Sequence, residues 1–277
     1  MFSWAYINGD FIPEEKAMLP VRDLSILRGY GVFDFFRFCN FQPVFLNDHL
    51  DRLFFSMSGL RLDIKPDKNK LEELVHELIQ RNSIPDGGIR ITVTGGSSEN
   101  GYLPEKPSLV ITQHNFDEVS PVQFNNGIHL ASYAYQRQLP QIKSSDYLMG
   151  IYLQPWLKAR EADDVLYVDK GIISECPRSN IFIFNKSGEL CTPVNGILQG
   201  ITRKQVLQIA KSHYPVVEKD IILDEVYEAG EVFITSTTRQ VLPVRSIDGR
   251  PIGTGQFPVS SHILRLYQSI SSIPYIG

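Results

Sequence analysis

Three parts of the chain carry residue types that can do chemistry together. Lys143, in Arg137-Gln-Leu-Pro-Gln-Ile-Lys143, offers a primary amine beside apolar Ile142. Glu175, in Ile173-Ser-Glu-Cys-Pro-Arg-Ser-Asn-Ile-Phe182, offers a carboxylate that can hold a ring nitrogen protonated. Leu198-Gln-Gly-Ile-Thr-Arg203 then opens an apolar-periodic helix. Gly200 lets the backbone approach a ligand there, and the N–H groups of a first helical turn point at an anion. An amine that condenses with a carbonyl, an acid for a pyridine nitrogen and a phosphate cup are what pyridoxal phosphate (PLP) chemistry requires. Each alone has a commoner reading: a solvated lysine, a turn glutamate, a helix capped by Thr202. Their order along the chain selects the cofactor.

Other residues could extend that set. Thr235-Ser-Thr-Thr-Arg239 is a hydroxyl-rich turn able to donate to phosphate or carboxylate, and Arg52 in Asp48-His-Leu-Asp-Arg52 could add a cation. Several chemistries are excluded. The Gly95-Gly-Ser-Ser and Asn100-Gly-Tyr-Leu-Pro104 stretch lacks the nucleotide-loop pattern, and no G-x-S-x-G elbow supports a hydrolase. Six histidines without H-E-x-x-H or paired spacing predict no metal. A formal net charge of −4 supplies no basic field, so nucleic acid is not an expected partner. Cys39, Cys176 and Cys191 are too few and too irregular for a disulfide framework or zinc site, which fits a cytoplasmic protein. Met1 to Glu15 lacks a basic start followed by an apolar run, so a signal peptide is not expected, and no apolar run approaches the ~20 residues that span a bilayer.

The elements that must position these residues are legible from periodicity. Asn8-Gly9 predicts a hairpin over Tyr6 to Ile12, and Gly31 to Phe38 reads as a strand. A helix capped by Asn47 or Asp48 follows to about Gly59, then one with Leu71, Leu74, Val75, Leu78 and Ile79 on one face. Ile89–Thr94 and Ser108–Thr112 are expected strands. The polar stretch that follows suggests a small N-terminal domain over 1–117, a linker over 118–127 and a larger C-terminal, PLP-binding domain over 128–277. There, strands are expected at Ile128–Tyr135, Val165–Val168, Asn180–Phe184 and Glu231–Ser236. Helices are expected at Thr202–His213 and Val259–Ser272, and from Asp146 to Glu161 with a kink at Pro155. Strands and helices mix without strict β-α-β alternation, so the fold class is α+β in two domains.

In order, Gly31-Val-Phe-Asp34, His49-Leu-Asp-Arg52, Lys143, Glu175 to Asn180, Leu198 to Arg203 and Pro243-Val-Arg-Ser-Ile-Asp-Gly249 resemble the fold-type IV PLP enzymes over nearly the whole chain. That family contains branched-chain aminotransferases, D-amino-acid transaminases and aminodeoxychorismate lyases. The resemblance implies that Lys143 is the catalytic amine and that Glu175 contacts the pyridine nitrogen. It implies that Arg52, Ile201, Thr202 and Thr237 hold the phosphate and that Tyr147 approaches the ring hydroxyl. Ser179, Asn180 and Ser236 join the cofactor side, and Arg28, Phe33, Arg90 and Thr238 the substrate side. It also implies a homodimer in which a loop of the neighbour completes each site.

The subclass signatures are each incomplete. Branched-chain enzymes carry a tyrosine two residues before the Arg of an I-R-P stretch; here Gly88 and Ile91 stand at the tyrosine and proline positions. The lyase loop has two arginines, replaced here by Gly95 and Asn100. D-amino-acid transaminases show Val-Tyr-Glu and an Arg-x-His carboxylate trap; here Phe33 replaces the tyrosine and the trap is missing. Arg28 and Arg90 could replace it, since arginine meets a carboxylate as a fork. The expectation is therefore a transaminase moving an amino group between a D-amino acid (D-alanine, D-glutamate) and a 2-keto acid such as 2-oxoglutarate or pyruvate. A branched-chain L-amino-acid aminotransferase, an aminodeoxychorismate lyase and a non-catalytic PLP-binding protein are the alternatives.

Overall fold

Asn8 and Gly9 both take positive φ and close the expected hairpin between β1 (Trp4–Ile7) and β2 (Asp10–Pro13). In this computed structural model, which describes residues 4–116 and 119–271, the hairpin is the start of the first of two units. The unit continues through α1 (Leu24–Arg28), β3 (Gly31–Cys39), β4 (Gln42–Pro43), α2 (Leu46–Gly59), α3 (Lys68–Asn82), β5 (Gly87–Thr94) and β6 (Ser108–His114). Its antiparallel sheet runs β2-β1-β6-β5-β3-β4. Period-two alternation sends Val32, Phe36 and Phe38 of β3, with Ile89, Ile91 and Val93 of β5, into a core shared with Leu50, Leu53 and Met57 of α2 and Leu71, Val75 and Leu78 of α3. Phe33, Phe35 and Arg90 lie on the other face. α2 starts earlier than expected: Phe45, in the left-handed region, is its N-cap without a side-chain cap, and Asn47 and Asp48 sit inside the first turn. Burial of Leu46 and Leu50 sets that start in place of the polar cap.

The second unit holds Glu118–Gln141 and Tyr147–Gly277. Its elements are α4 (Pro121–Asn126), β7 (Ile128–Ala134), α5 (Leu148–Tyr152), α6 (Gln154–Lys158), β8 (Asp164–Asp169), β9 (Ile172–Ile173), β10 (Glu175–Cys176), β11 (Ser179–Phe184), β12 (Leu190–Thr192), α7 (Ile201–Ala210), β13 (Val216–Glu218), α8 (Leu223–Tyr227), β14 (Glu231–Ser236), β15 (Gln240–Ile247), β16 (Arg250–Pro251) and α9 (Pro258–Ser271). The mixed sheet runs β13-β12-β11-β14-β15-β7-β8-β9, with β10 on β11 and β16 on β15. Parallel pairing joins β7 to β8 and to β15, while β14 runs antiparallel to both β11 and β15.

Three expectations change. Pro121–Asn126, inside the expected linker, is a helix, because Ser120 caps it, Pro121 suits its first turn and Phe124 is buried. The helix expected over 146–161 is two short ones, and Pro155 lies in the first turn of the second, where its missing N–H costs nothing. Ile142–Asp146, expected in the C-terminal domain, belongs with the first unit. Backbone bonds tie it there: Phe33 N donates to Lys143 O at 3.0 Å and Ser145 N to Gly31 O at 2.9 Å.

Candidate active site

In the first unit, the segment carrying Lys143 docks on the edge of β3 through a bridge between Val32 and Ser144, and Lys143 N donates to Ser56 Oγ at 3.1 Å. The amine is thereby held over Phe33, with Nζ 4.6 Å from the ring centroid. Arg90 of β5 stacks on the same ring at 3.7 Å and donates from Nε to Thr92 Oγ1. One aromatic ring thus carries the amine and a guanidinium, both attracted to its π density. On the helix-facing side of β3, Asp34 is wholly buried between two residues of α2. Arg52 grips it as a fork, Nε to Oδ2 and Nη2 to Oδ1, each at 2.8 Å; His49 Nδ1 donates to Oδ1 at 2.7 Å. Burial alone would raise the Asp34 pKa, but Arg52 and then His49 outweigh it and hold the carboxyl well below the usual range. Burial, against the pull of Asp34, holds His49 below the usual imidazole range, so it sits neutral as a donor.

The second unit gathers the acid and the anion cup. Glu175, 4% exposed, accepts from Arg137 Nε at 2.8 Å through Oε1 and from Leu198 N at 2.9 Å through Oε2. Asn180 Nδ2 donates to Leu198 O at 2.8 Å, so the strand after Glu175 also fixes the loop before α7. A side chain at Gly200 has no room: its Cβ would fall 2.0 Å from Asn180 Oδ1. α7 begins at Gly200 with no side-chain cap and no acidic residue in its first turn, which leaves its first N–H groups facing whatever anion arrives. Arg203 braces the loop from behind, donating to Pro193 O at 2.9 Å, to Gln199 Oε1 at 3.1 Å and to Glu218 at 2.7 Å. Ser236 ends β14, and Thr237, Thr238 and Arg239 form the turn to β15. There Ser236 Oγ accepts from Arg239 N at 3.1 Å, and Arg239 is anchored on Asp164. Among the described residues, the buried Ser179 hydroxyl has no protein partner. A paired carboxylate, an uncapped helix start and a spare buried hydroxyl fit a phosphorylated pyridine.

The profile of the amino-transferase class IV family matches residues 31–247. The chain is a class IV aminotransferase. A Methanocaldococcus jannaschii protein named as a branched-chain-amino-acid aminotransferase is 34% identical, covering 91% of this chain and 90% of its own. The D-alanine aminotransferase of Bacillus licheniformis is 30% identical over 90% and 89%. Among solved structures, the T.th. branched-chain amino acid aminotransferase with pyridoxamine 5'-phosphate superposes with a TM-score of 0.91 at 26% identity, covering 98% of this chain and 95% of that one. This class IV aminotransferase is PLP-dependent, and its substrates are amino acids and keto acids. Among the described residues, no helix is long and apolar enough to cross a membrane.

The expected residues fall into two groups. Phe33, Arg52, Arg90 and Lys143 lie in the first unit; Glu175, Ser179, Asn180, Ile201, Thr202, Ser236, Thr237 and Thr238 lie in the second, with Tyr147 at the start of α5. Arg28 ends α1 as an exposed residue whose Nη1 donates to Leu27 O. The sequence assigns no role to Arg137, and Asp34, His49 and Arg203 enter it only as members of the motifs Gly31–Asp34, His49–Arg52 and Leu198–Arg203. Asp34 carries a further signal, an acid in the apolar run Val32-Phe-Asp-Phe-Phe36, which can be buried only if paired.

Proposed function

We propose that this enzyme is a D-amino-acid transaminase, exchanging the amino group of D-alanine or D-glutamate with a 2-keto acid such as 2-oxoglutarate or pyruvate. The reading rests on the stack of Lys143 and Arg90 upon Phe33, which sets a guanidinium beside the reacting amine. In this reading Lys143 would hold the cofactor through its amine and would move the proton at the substrate Cα. Bound PLP supplies the electron sink for the pair left at that carbon. Glu175, paired with Arg137, would hold the pyridine nitrogen protonated. Arg52, Ile201, Thr202 and Thr237 would hold the phosphate, assisted by Ser179, Asn180 and Ser236; Tyr147 would serve the ring hydroxyl, and Thr238 the substrate side.

Arg90, with Arg28, receives the α-carboxylate. Arg28 and Leu27 lie beside Gly101, and Ile26, Leu27, Tyr102 and Leu103 are exposed apolar residues of the kind that a second copy covers. We therefore read the enzyme as a homodimer in which a loop of the neighbour completes each site. The hand of the substrate follows from Lys143 acting on one face: only one enantiomer turns Cα–H to the amine while its carboxylate reaches the arginine.

A branched-chain L-amino-acid aminotransferase is the second reading, favoured by the M. jannaschii relative and the T.th. structure. Mixing holoenzyme with single enantiomers and following the absorbance of the bound cofactor separates the two. Faster change with D-alanine and D-glutamate than with the L-isomers supports the first, and preference for L-leucine or L-isoleucine overturns it. Replacing Arg90 with an uncharged residue must weaken D-alanine as well as D-glutamate. Loss of glutamate alone assigns Arg90 to a side-chain carboxylate and ends the trap hypothesis.

A further inference from the structure

Asp34 is a carboxylate with no exposure in the middle of β3, on the face that packs against α2. Its neighbours on that face, Val32 and Phe36, are core residues. Replacing a buried ion pair by apolar groups is often neutral or stabilising, so stability alone is a weak reason for this one. The bonding is more complete than a simple pair needs. Oδ1 accepts from Phe35 N at 2.8 Å, from His49 Nδ1 at 2.7 Å and from Arg52 Nη2 at 2.8 Å, while Oδ2 accepts from Arg52 Nε at 2.8 Å. A carboxylate held at four points cannot rotate, and neither can a guanidinium clamped on it by two parallel bonds. His49 and Arg52 share one side of α2 because they are three residues apart, and the His49 ring is itself seated against Phe36 at 5.3 Å.

We propose that Asp34 and His49 are positioning residues for Arg52, fixing the plane of its guanidinium so that the cofactor phosphate meets a cation already ordered. Asp34 also lets the charge of Arg52 sit in a largely apolar place before any phosphate arrives. A long side chain that need not be ordered at binding saves the immobilisation that would otherwise weaken affinity by about two- to tenfold. The inference rests on Arg52 serving the phosphate, and the experiment separates that premise from the positioning itself.

PLP release from diluted holoenzyme is measured for wild type, Asp34→Asn, His49→Leu, His49→Asn, Arg52→Ala and the Asp34→Asn/Arg52→Ala double variant, with melting of each PLP-free form alongside. Asp34→Asn and His49→Leu are expected to weaken retention by about two- to tenfold. His49→Asn is expected to restore it, because the asparagine amide nitrogen takes the place of Nδ1. In the Arg52→Ala background, Asp34→Asn is expected to cause no further loss. If Arg52→Ala retains PLP as wild type does, the premise fails and the inference with it. If Arg52→Ala loses PLP while Asp34→Asn and His49→Leu keep it, the premise stands and positioning fails. An equal loss from Asp34→Asn in both backgrounds means that Asp34 supports the scaffold without acting through Arg52, which also overturns the inference. Should Asp34→Asn not fold, the His49 pair decides: loss with leucine and recovery with asparagine supports positioning, and equal retention by both refutes it.

Discussion

Arg137→Met tests whether Glu175 depends on its buried partner. The pair is close, Nε to Oε1 at 2.8 Å, with side chains 14% and 5% exposed. Removing one member of a buried pair leaves an uncompensated charge, at ~3–5 kcal/mol. Glu175 keeps the Leu198 N–H bond and Arg137 is partly wet, so the lower end, ~3 kcal/mol, is expected. For a unit of this size each kcal/mol moves the melting point by ~2–4 °C, giving a drop of ~6–12 °C. The measurement is thermal melting of the PLP-free protein, which keeps cofactor loss from adding its own effect. A second variant makes the test specific. Glu175→Gln needs no counter-charge, so Arg137→Met/Glu175→Gln should melt well above Arg137→Met alone. The reasoning fails if Arg137→Met melts within ~2 °C of wild type, or if the two losses simply add.

Lys143→Ala should keep its melting point without PLP yet show no turnover; near-wild-type turnover would remove Lys143 from the chemistry. Gly200→Ala puts a Cβ 2.0 Å from Asn180 Oδ1, and the displaced amide can no longer hold Leu198 O. Looser PLP and a loss of ~1–3 kcal/mol in stability are expected, checked by PLP release and urea unfolding; unchanged retention would show that the loop gives way without consequence. Acid should destabilise the first unit in two stages. His49 and Asp34 are both held below their ordinary pKa values, so the unfolded chain binds protons first as pH falls. Stability from His49 is full above ~6.5 and declines below it, and that from Asp34 is full above ~4 and declines below it. Melting from pH 7 down to about 2 measures both stages, and His49→Asn, which keeps the donor but cannot titrate, should remove the upper one; an unaltered profile would exclude His49 as its source.

Local chemistry alone determined much of this protein. Asn8-Gly9 can close a two-residue turn whatever surrounds it, the apolar spacing of Leu71 to Ile79 makes a helix with one buried face, and Gly200 before a periodic helix marks an anion-ready start. Lys143, Glu175 and the Thr202 turn stand out as candidates because their order along the chain resembles a family pattern. What the sequence could not show is which groups meet across distant segments. Arg137 returning to Glu175, Arg203 bracing the loop before α7, and Asp34 locking Arg52 with His49 all join residues far apart or on different elements. Nor could it place Lys143, whose segment follows β7 in the chain but pairs with β3. Periodicity reports which face of an element is buried, while the partner of a buried charge is set by how elements pack. A charge finds a low-energy place inside only where the fold brings its counter-charge and donors within hydrogen-bond reach.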